Sequence, residues 1–120
     1  LLKLIDNNLI KSAHDVSLGG IITAIAKMCI KGKKGINIKK PKYLINEIEY
    51  LFAEDQGRYI IEINKKDFKK VTDILNKNAV HFDELGTIIE NEVYINDKTK
   101  VTIDELSTSN KSWLTNYMSK

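Results

Sequence analysis

A chain of 120 residues, 42% hydrophobic and 29% charged, is sized for one soluble globular domain with one core. Its net charge of +3 rests on lysine, and Arg58 is its sole arginine, so it lacks the bidentate forks of base and phosphate readers; nucleic-acid binding is set aside. A lone Cys29 excludes an internal disulfide and a cysteine metal cluster, and no apolar run reaches the ~18 residues that span a bilayer.

Leu1, Leu4, Ile5, Leu9 and Ile10 recur at helical spacing, which predicts a helix over residues 1–10 that frays at Asn7-Asn8. The chain begins without Met, inside this amphipathic pattern, as a fragment or processed piece would. Residues 12–16 read as a short strand ending at His14-Asp15. A tight turn follows, and a helix starts at Gly19-Gly20. The run Ile21 to Ile30 is apolar almost all round, so this helix is either sandwiched or keeps a face for another domain. Cys29 reads as a small core residue on it. Lys31-Gly32-Lys33-Lys34-Gly35 ends it, with glycine available for a left-handed cap. The lysines of residues 31–42 read as a solvated loop.

Ile36-Asn37-Ile38 alternates like a strand, Pro41 opens the next element, and residues 43–52 read as a helix. Glu54-Asp55-Gln56-Gly57 is a polar turn, in which Arg58 pairs with a carboxylate. Residues 59–63 form the strongest strand. Asn64 is placed to cap a helix over 65–77, with Phe68, Val71, Ile74 and Leu75 on one face. Residues 80–82 and 86–89 read as strand pieces. Residues 92–95 and 100–103 flank a hairpin turn at Asn96-Asp97-Lys98-Thr99. Asp104-Glu105-Leu106 starts a short helical turn, and Trp113, Leu114, Tyr117 and Met118 mark a final short helix whose aromatics anchor the core or a domain interface. The order predicts an α+β fold: a layered mixed sheet covered by helices, in a single domain over residues 1–120.

Site chemistry is most compact at Ser12-Ala13-His14-Asp15-Val16-Ser17-Leu18-Gly19-Gly20. A helix start presents unpaired N–H groups and a positive dipole end, which suit phosphate. A carboxylate just before it, Asp15, can hold Mg2+ against that phosphate. Asp15 and Ser17 can equally act as simple helix caps, and the two glycines can simply permit the turn. His14 reads as a strand-end packing or hydrogen-bonding residue rather than a base, and His81 carries no assignment.

The same nine residues resemble the Ser-Ala-His-Asp-Val-Ser-Asp-Gly-Gly motif of the phosphoribosylformylglycinamidine synthase family. Leu51-Phe52-Ala53-Glu54-Asp55-Gln56-Gly57-Arg58-Tyr59 resembles that family's Leu-Phe-x-Glu-Ser-Gln-Gly-Arg-Tyr, and Leu85-Gly86-Thr87-Ile88 its Ile-Gly-Thr-Val. The resemblance runs from the first helix to the last. It implies an AIR synthase C-terminal-domain-like fold, partly similar to the ferredoxin-like fold, as the second C-type copy at the end of a multidomain subunit. It also implies an ATP-dependent amidoligase of purine biosynthesis. In that reaction the amide oxygen of formylglycinamide ribonucleotide is activated as an iminophosphate, and glutamine-derived ammonia displaces the phosphate. The implied cofactors are Mg2+ and ATP or ADP. The implied partners are upstream domains of the same chain, a glutaminase subunit or domain and a small bridging subunit, in the cytoplasm, with neither nucleic acid nor membrane.

Carried over by position, Asp15 matches a Mg2+ contact and Ser17 a nucleotide contact at an auxiliary, non-catalytic site, with Gly19 and Gly20 at the helix start beside them. Glu54 and Gln56 match a turn whose first-half copy faces substrate. No catalytic residue carries over, so these 120 residues alone are expected to be inactive. Two positions depart: Leu18 stands for the family's aspartate, and Asp55 for its serine, where its charge would repel a phosphate. The alternatives are a non-catalytic assembly module held through the apolar helix, and a piece of another ATP-dependent enzyme of the AIR synthase superfamily.

Overall fold

In a computed structural model, which describes residues 1–39, 41 and 46–119, the chain is α+β with two separate sheets. The elements in order are α1 (Leu2–Asp6), β1 (Ser12–Asp15), α2 (Gly20–Gly32), β2 (Gly35–Ile38), α3 (Glu47–Phe52), β3 (Tyr59–Glu62), a 3-10 turn (Lys65–Asp67), α4 (Phe68–Lys77), β4 (Gly86–Ile89), β5 (Glu92–Ile95), β6 (Thr99–Thr102) and α5 (Ile103–Met118). β1 and β3 form an antiparallel ribbon, Ser12 opposite Glu62 and Asp15 opposite Tyr59. The other sheet has the order β4-β2-β5-β6 and is mixed: β2 runs parallel to β5 and antiparallel to β4.

The single expected core is two clusters. Val16, Ile21, Ile25, Cys29, Ile38, Leu51, Val93 and Ile103 pack between α2, α3, α5 and the four-stranded sheet. Leu4, Leu9 and Val71 form a second cluster, with Ile61, Ile63, Ile74 and Leu75 against it. The ribbon divides them because strand side chains alternate: Ile60 joins the first cluster and Ile61 the second. From Gly20 to Ile30 only Lys27 is exposed, so α2 is sandwiched. Burial in the first cluster pushes the Cys29 thiol up to about 11, the property of a packing residue rather than a nucleophile.

Several boundaries differ from the sequence reading. α1 stops at Asp6 because Asn8 turns left-handed (φ 53°), which returns Leu9 to the second cluster. Lys33, not a glycine, takes the left-handed cap of α2 (φ 51°), because the helix runs through Gly32 and Gly35 already opens β2 against the Glu92 backbone. The start of the expected helix over 43–52 falls partly outside the described residues; α3 itself begins at Glu47, where the Asn46 side chain accepts from the amides of Ile48 and Glu49. Asn64 caps no backbone amide; its side chain donates to the Asp67 carboxylate, and the first turn is 3-10. Val80–Phe82 form no strand, since Val80 N–H bonds back to the Leu75 carbonyl and completes the end of α4. The two short C-terminal helices are one, α5, because Ser107–Ser112 contains neither Gly nor Pro. Trp113 and Tyr117 belong to neither cluster.

Candidate functional site

β1 feeds the turn Val16–Gly19 and then α2; α3 feeds the turn Ala53–Arg58 and then β3. Because β1 and β3 are antiparallel, the end of one lies beside the start of the other. The two nine-residue motifs therefore meet. Val16 N–H donates to the Arg58 carbonyl at 2.9 Å, and Gly19 N–H donates to Glu54 Oε1 at 2.7 Å. Gly20 sits at φ +69°, and a Cβ there would lie 2.6 Å from the Leu51 carbonyl oxygen and 2.8 Å from the Phe52 Cα. Glycine is needed at this position twice over, for the left-handed backbone and for the close approach of α3.

The structure brings Gly19 and Gly20 against the second motif and leaves Asp15, Ser17 and Gln56 exposed at its edge. His14 Nδ1 donates to the carbonyl of Asp15 at 2.6 Å, a local bond at the strand end. Asp55 does not add an uncompensated charge: Arg58 reaches it at 3.0 Å, with its guanidinium 5.8 Å from the Tyr50 ring centroid. Sequence reasoning missed the bond from Gly19 to Glu54. Its signal was available, since pairing the strands that flank the two motifs puts their turns at one end.

These observations test the residues against the implied groups. Both glycine amides are engaged within the chain, Gly19 with Glu54 and Gly20 with the Ser17 carbonyl. Among the described residues no group of three His, Cys, Asp or Glu side chains could hold a metal ion. Asp15 and Ser17 are exposed, and one carboxylate and one hydroxyl are chemically suited to a cation and a phosphate but fill only part of a cation's coordination shell. An open hollow of about 380 Å3 lies at Asn76 and residues 79–82, outside both motifs, and carries no converging charge. No helix among the described residues is long and apolar enough to cross a membrane.

Comparison with known proteins agrees with the motif geometry. Residues 1–98 match the family described as AIR synthase related protein, C-terminal domain. The chain belongs to this family. It is 66% identical over 118 residues to the phosphoribosylformylglycinamidine synthase subunit PurL of Pelagibacter ubique (strain HTCC1062), covering 98% of this chain and 16% of that protein. It is 42% identical over 91 residues to the PurL subunit of Petrotoga mobilis (strain DSM 10674 / SJ95), covering 73% and 12%. The AIR synthase C-terminal fold is seen in Thermotoga maritima PurL complexed with FGAR, at TM-score 0.75 and 23% identity, over 88% of this chain and 19% of that one. The chain thus spans about one-sixth of the length of the curated relatives it matches.

Proposed function

We propose that this chain is the C-terminal domain of the synthetase subunit of phosphoribosylformylglycinamidine synthase. The full subunit would convert formylglycinamide ribonucleotide and glutamine-derived ammonia to the amidine at the expense of ATP, in the cytoplasm, together with a glutaminase unit and a small bridging subunit. The 66% identity over 98% of the chain carries this reading. Thermotoga maritima PurL has been solved with ATP, with ADP and as a PurLQS complex, which supports nucleotide and partner binding by the whole protein.

Within that enzyme the domain buttresses the catalytic domains and closes one edge of an auxiliary nucleotide site. Asp15 would hold Mg2+, which supplies the positive charge that lets phosphate oxygens approach two carboxylates. Ser17 would donate to a phosphate oxygen, and Gly19 and Gly20 would line the approach. Glu54 already occupies the Gly19 amide, so a phosphate reaches that amide only by exchanging one anion for another. Glu54 and Gln56 then form the facing turn. A second reading, a non-catalytic assembly module, is favoured by the same bond: the two motifs satisfy polar groups of each other, Gly19 with Glu54 and Val16 with Arg58.

Asp15→Ala in the full-length subunit separates the two. The nucleotide reading expects about a tenfold or larger loss of Mg2+-dependent ADP binding at a non-catalytic site, with domain stability unchanged because Asp15 is exposed. Unchanged stoichiometry and affinity in equilibrium dialysis would leave the assembly reading. The isolated 120 residues are expected to form no amidine.

A further inference from the structure

We propose that an apolar surface running from a cleft at the root of α5 to its aromatic end is the seat of another domain of the same polypeptide. The inference rests on the reading that this chain is one domain of a longer subunit. α5 is rooted by Ile103 in the first cluster and by Leu106 against it. Trp113 and Tyr117 follow Leu106 at +7 and +11, so they continue one helical stripe, with Leu114 and Met118 beside them. These four side chains are 62%, 70%, 53% and 75% exposed respectively. The rings of Trp113 and Tyr117 lie 6.4 Å apart and present a joined aromatic face. The opposite face is Thr108, Ser112, Thr115 and Asn116, which suits water, while Asn110 falls within the stripe and Ser107 and Lys111 flank Leu114 and Met118.

At the foot of this stripe is a cleft of about 130 Å3 lined entirely by apolar side chains, Ile22, Ile25, Ala26, Val93, Ile95, Val101 and Leu106. A cleft with no polar group at its wall is unfilled packing volume that takes an apolar side chain from outside. Stripe and cleft share Leu106 and form one surface.

Area decides the occupant. Four side chains of this size offer on the order of several hundred Å2, below the roughly 800 Å2 per partner of a stable free complex. A second copy of the chain would be held too weakly by this surface. A domain on the same chain meets it at an effective concentration near the millimolar range, where the same contact suffices. The relatives extend over about six times the length of this chain, which supplies such a domain.

Hydroxyl-radical footprinting of the full-length polypeptide, at two protein concentrations tenfold apart, tests this directly on the native side chains. The expected result is modification of Trp113, Tyr117 and Met118 at least fivefold slower than in the urea-unfolded chain, equal at both concentrations. Modification near the unfolded rate overturns the inference, as does protection that fades on dilution, which would assign the surface to a second copy. Mass spectrometry of the native protein separates this failure from that of the parent reading. A native product near 120 residues removes both, whereas a long polypeptide with freely modified Trp113 removes only this inference.

Discussion

Helix α2 starts with no side-chain cap and two left-handed glycines, yet five of its residues, Gly20, Ile21, Ala24, Ile25 and Cys29, are buried. Helix α5 starts with a complete capping box, Thr102 and Glu105 satisfying each other's backbone amides, yet Ile103 is its one buried residue. Local chemistry launches α5; tertiary packing sustains α2. The site lies where packing governs, since α3 closes on the bare Cα of Gly20 and the Glu54 carboxylate seats on the Gly19 amide. Substitutions in α2 should therefore spread through the domain, and those in α5 should stay local.

The sharpest test of the contrast is Ile25→Ala. It leaves a cavity under α2 in the larger cluster and should cost about 2–5 kcal/mol in urea unfolding. A loss below about 1 kcal/mol would mean that α2 is not the centre of the core. Gly20→Ala comes next. A left-handed alanine costs about 1–2 kcal/mol and the clash with the Leu51–Phe52 backbone adds about 1–3 kcal/mol, so a combined loss of about 2–5 kcal/mol is expected. Calorimetric melting of the variant checks it; a neutral outcome would show that α3 can move away.

Smaller effects probe the helix starts themselves. Thr102→Ala should cost about 1 kcal/mol and fray only α5, read as faster amide exchange at Ile103–Leu106 with α2 unchanged. Glu54→Ala removes the carboxylate from the Gly19 amide and should cost about 1 kcal/mol, loosening the start of α2 instead. If Thr102→Ala also loosened α2, the two helices would be more tightly coupled than their packing implies.

The weakest expected effect is a pH response in the β5–β6 hairpin. Lys100 bonds to Glu92, Tyr94 O–H donates to Glu92 Oε2 at 2.7 Å, and the ammonium sits 5.9 Å from the Tyr94 ring centroid. The bond from Lys100, then that from Tyr94, holds the Glu92 carboxyl below its ordinary 4.5. The bond to Glu92 raises Lys100 above 10.5. A lowered acid stabilises the fold above its unfolded value and loses that contribution as pH falls through the folded one; a raised base does so below its unfolded value and loses it as pH rises. The bond to Glu92 also raises Tyr94 above its ordinary 10.0, so the hairpin should be level between pH 4.5 and 10.0 and weaken outside that span. Lys100→Met should shrink both limbs in NMR titration, the bond between Tyr94 and Glu92 sustaining what remains.

Sequence legibility follows the same division. Strand Tyr59–Glu62, the Asn96-Asp97 turn with both residues left-handed and the apolar burial of α2 were readable, because β-branching, turn chemistry and hydrophobic run length act over a few neighbours. The AIR synthase relationship was legible in two ordered nine-residue blocks. Only the tertiary structure decided that these blocks touch, that Glu54 seats on the Gly19 amide, and that Ile60 and Ile61 serve different cores. Those contacts join residues such as Gly19 and Glu54, 35 positions apart in the chain, through strand pairing and helix packing, which no local preference encodes. The exposed end of α5 follows the same physical reason: its stripe is written in the sequence, but whether a stripe is covered depends on what stands opposite it in space.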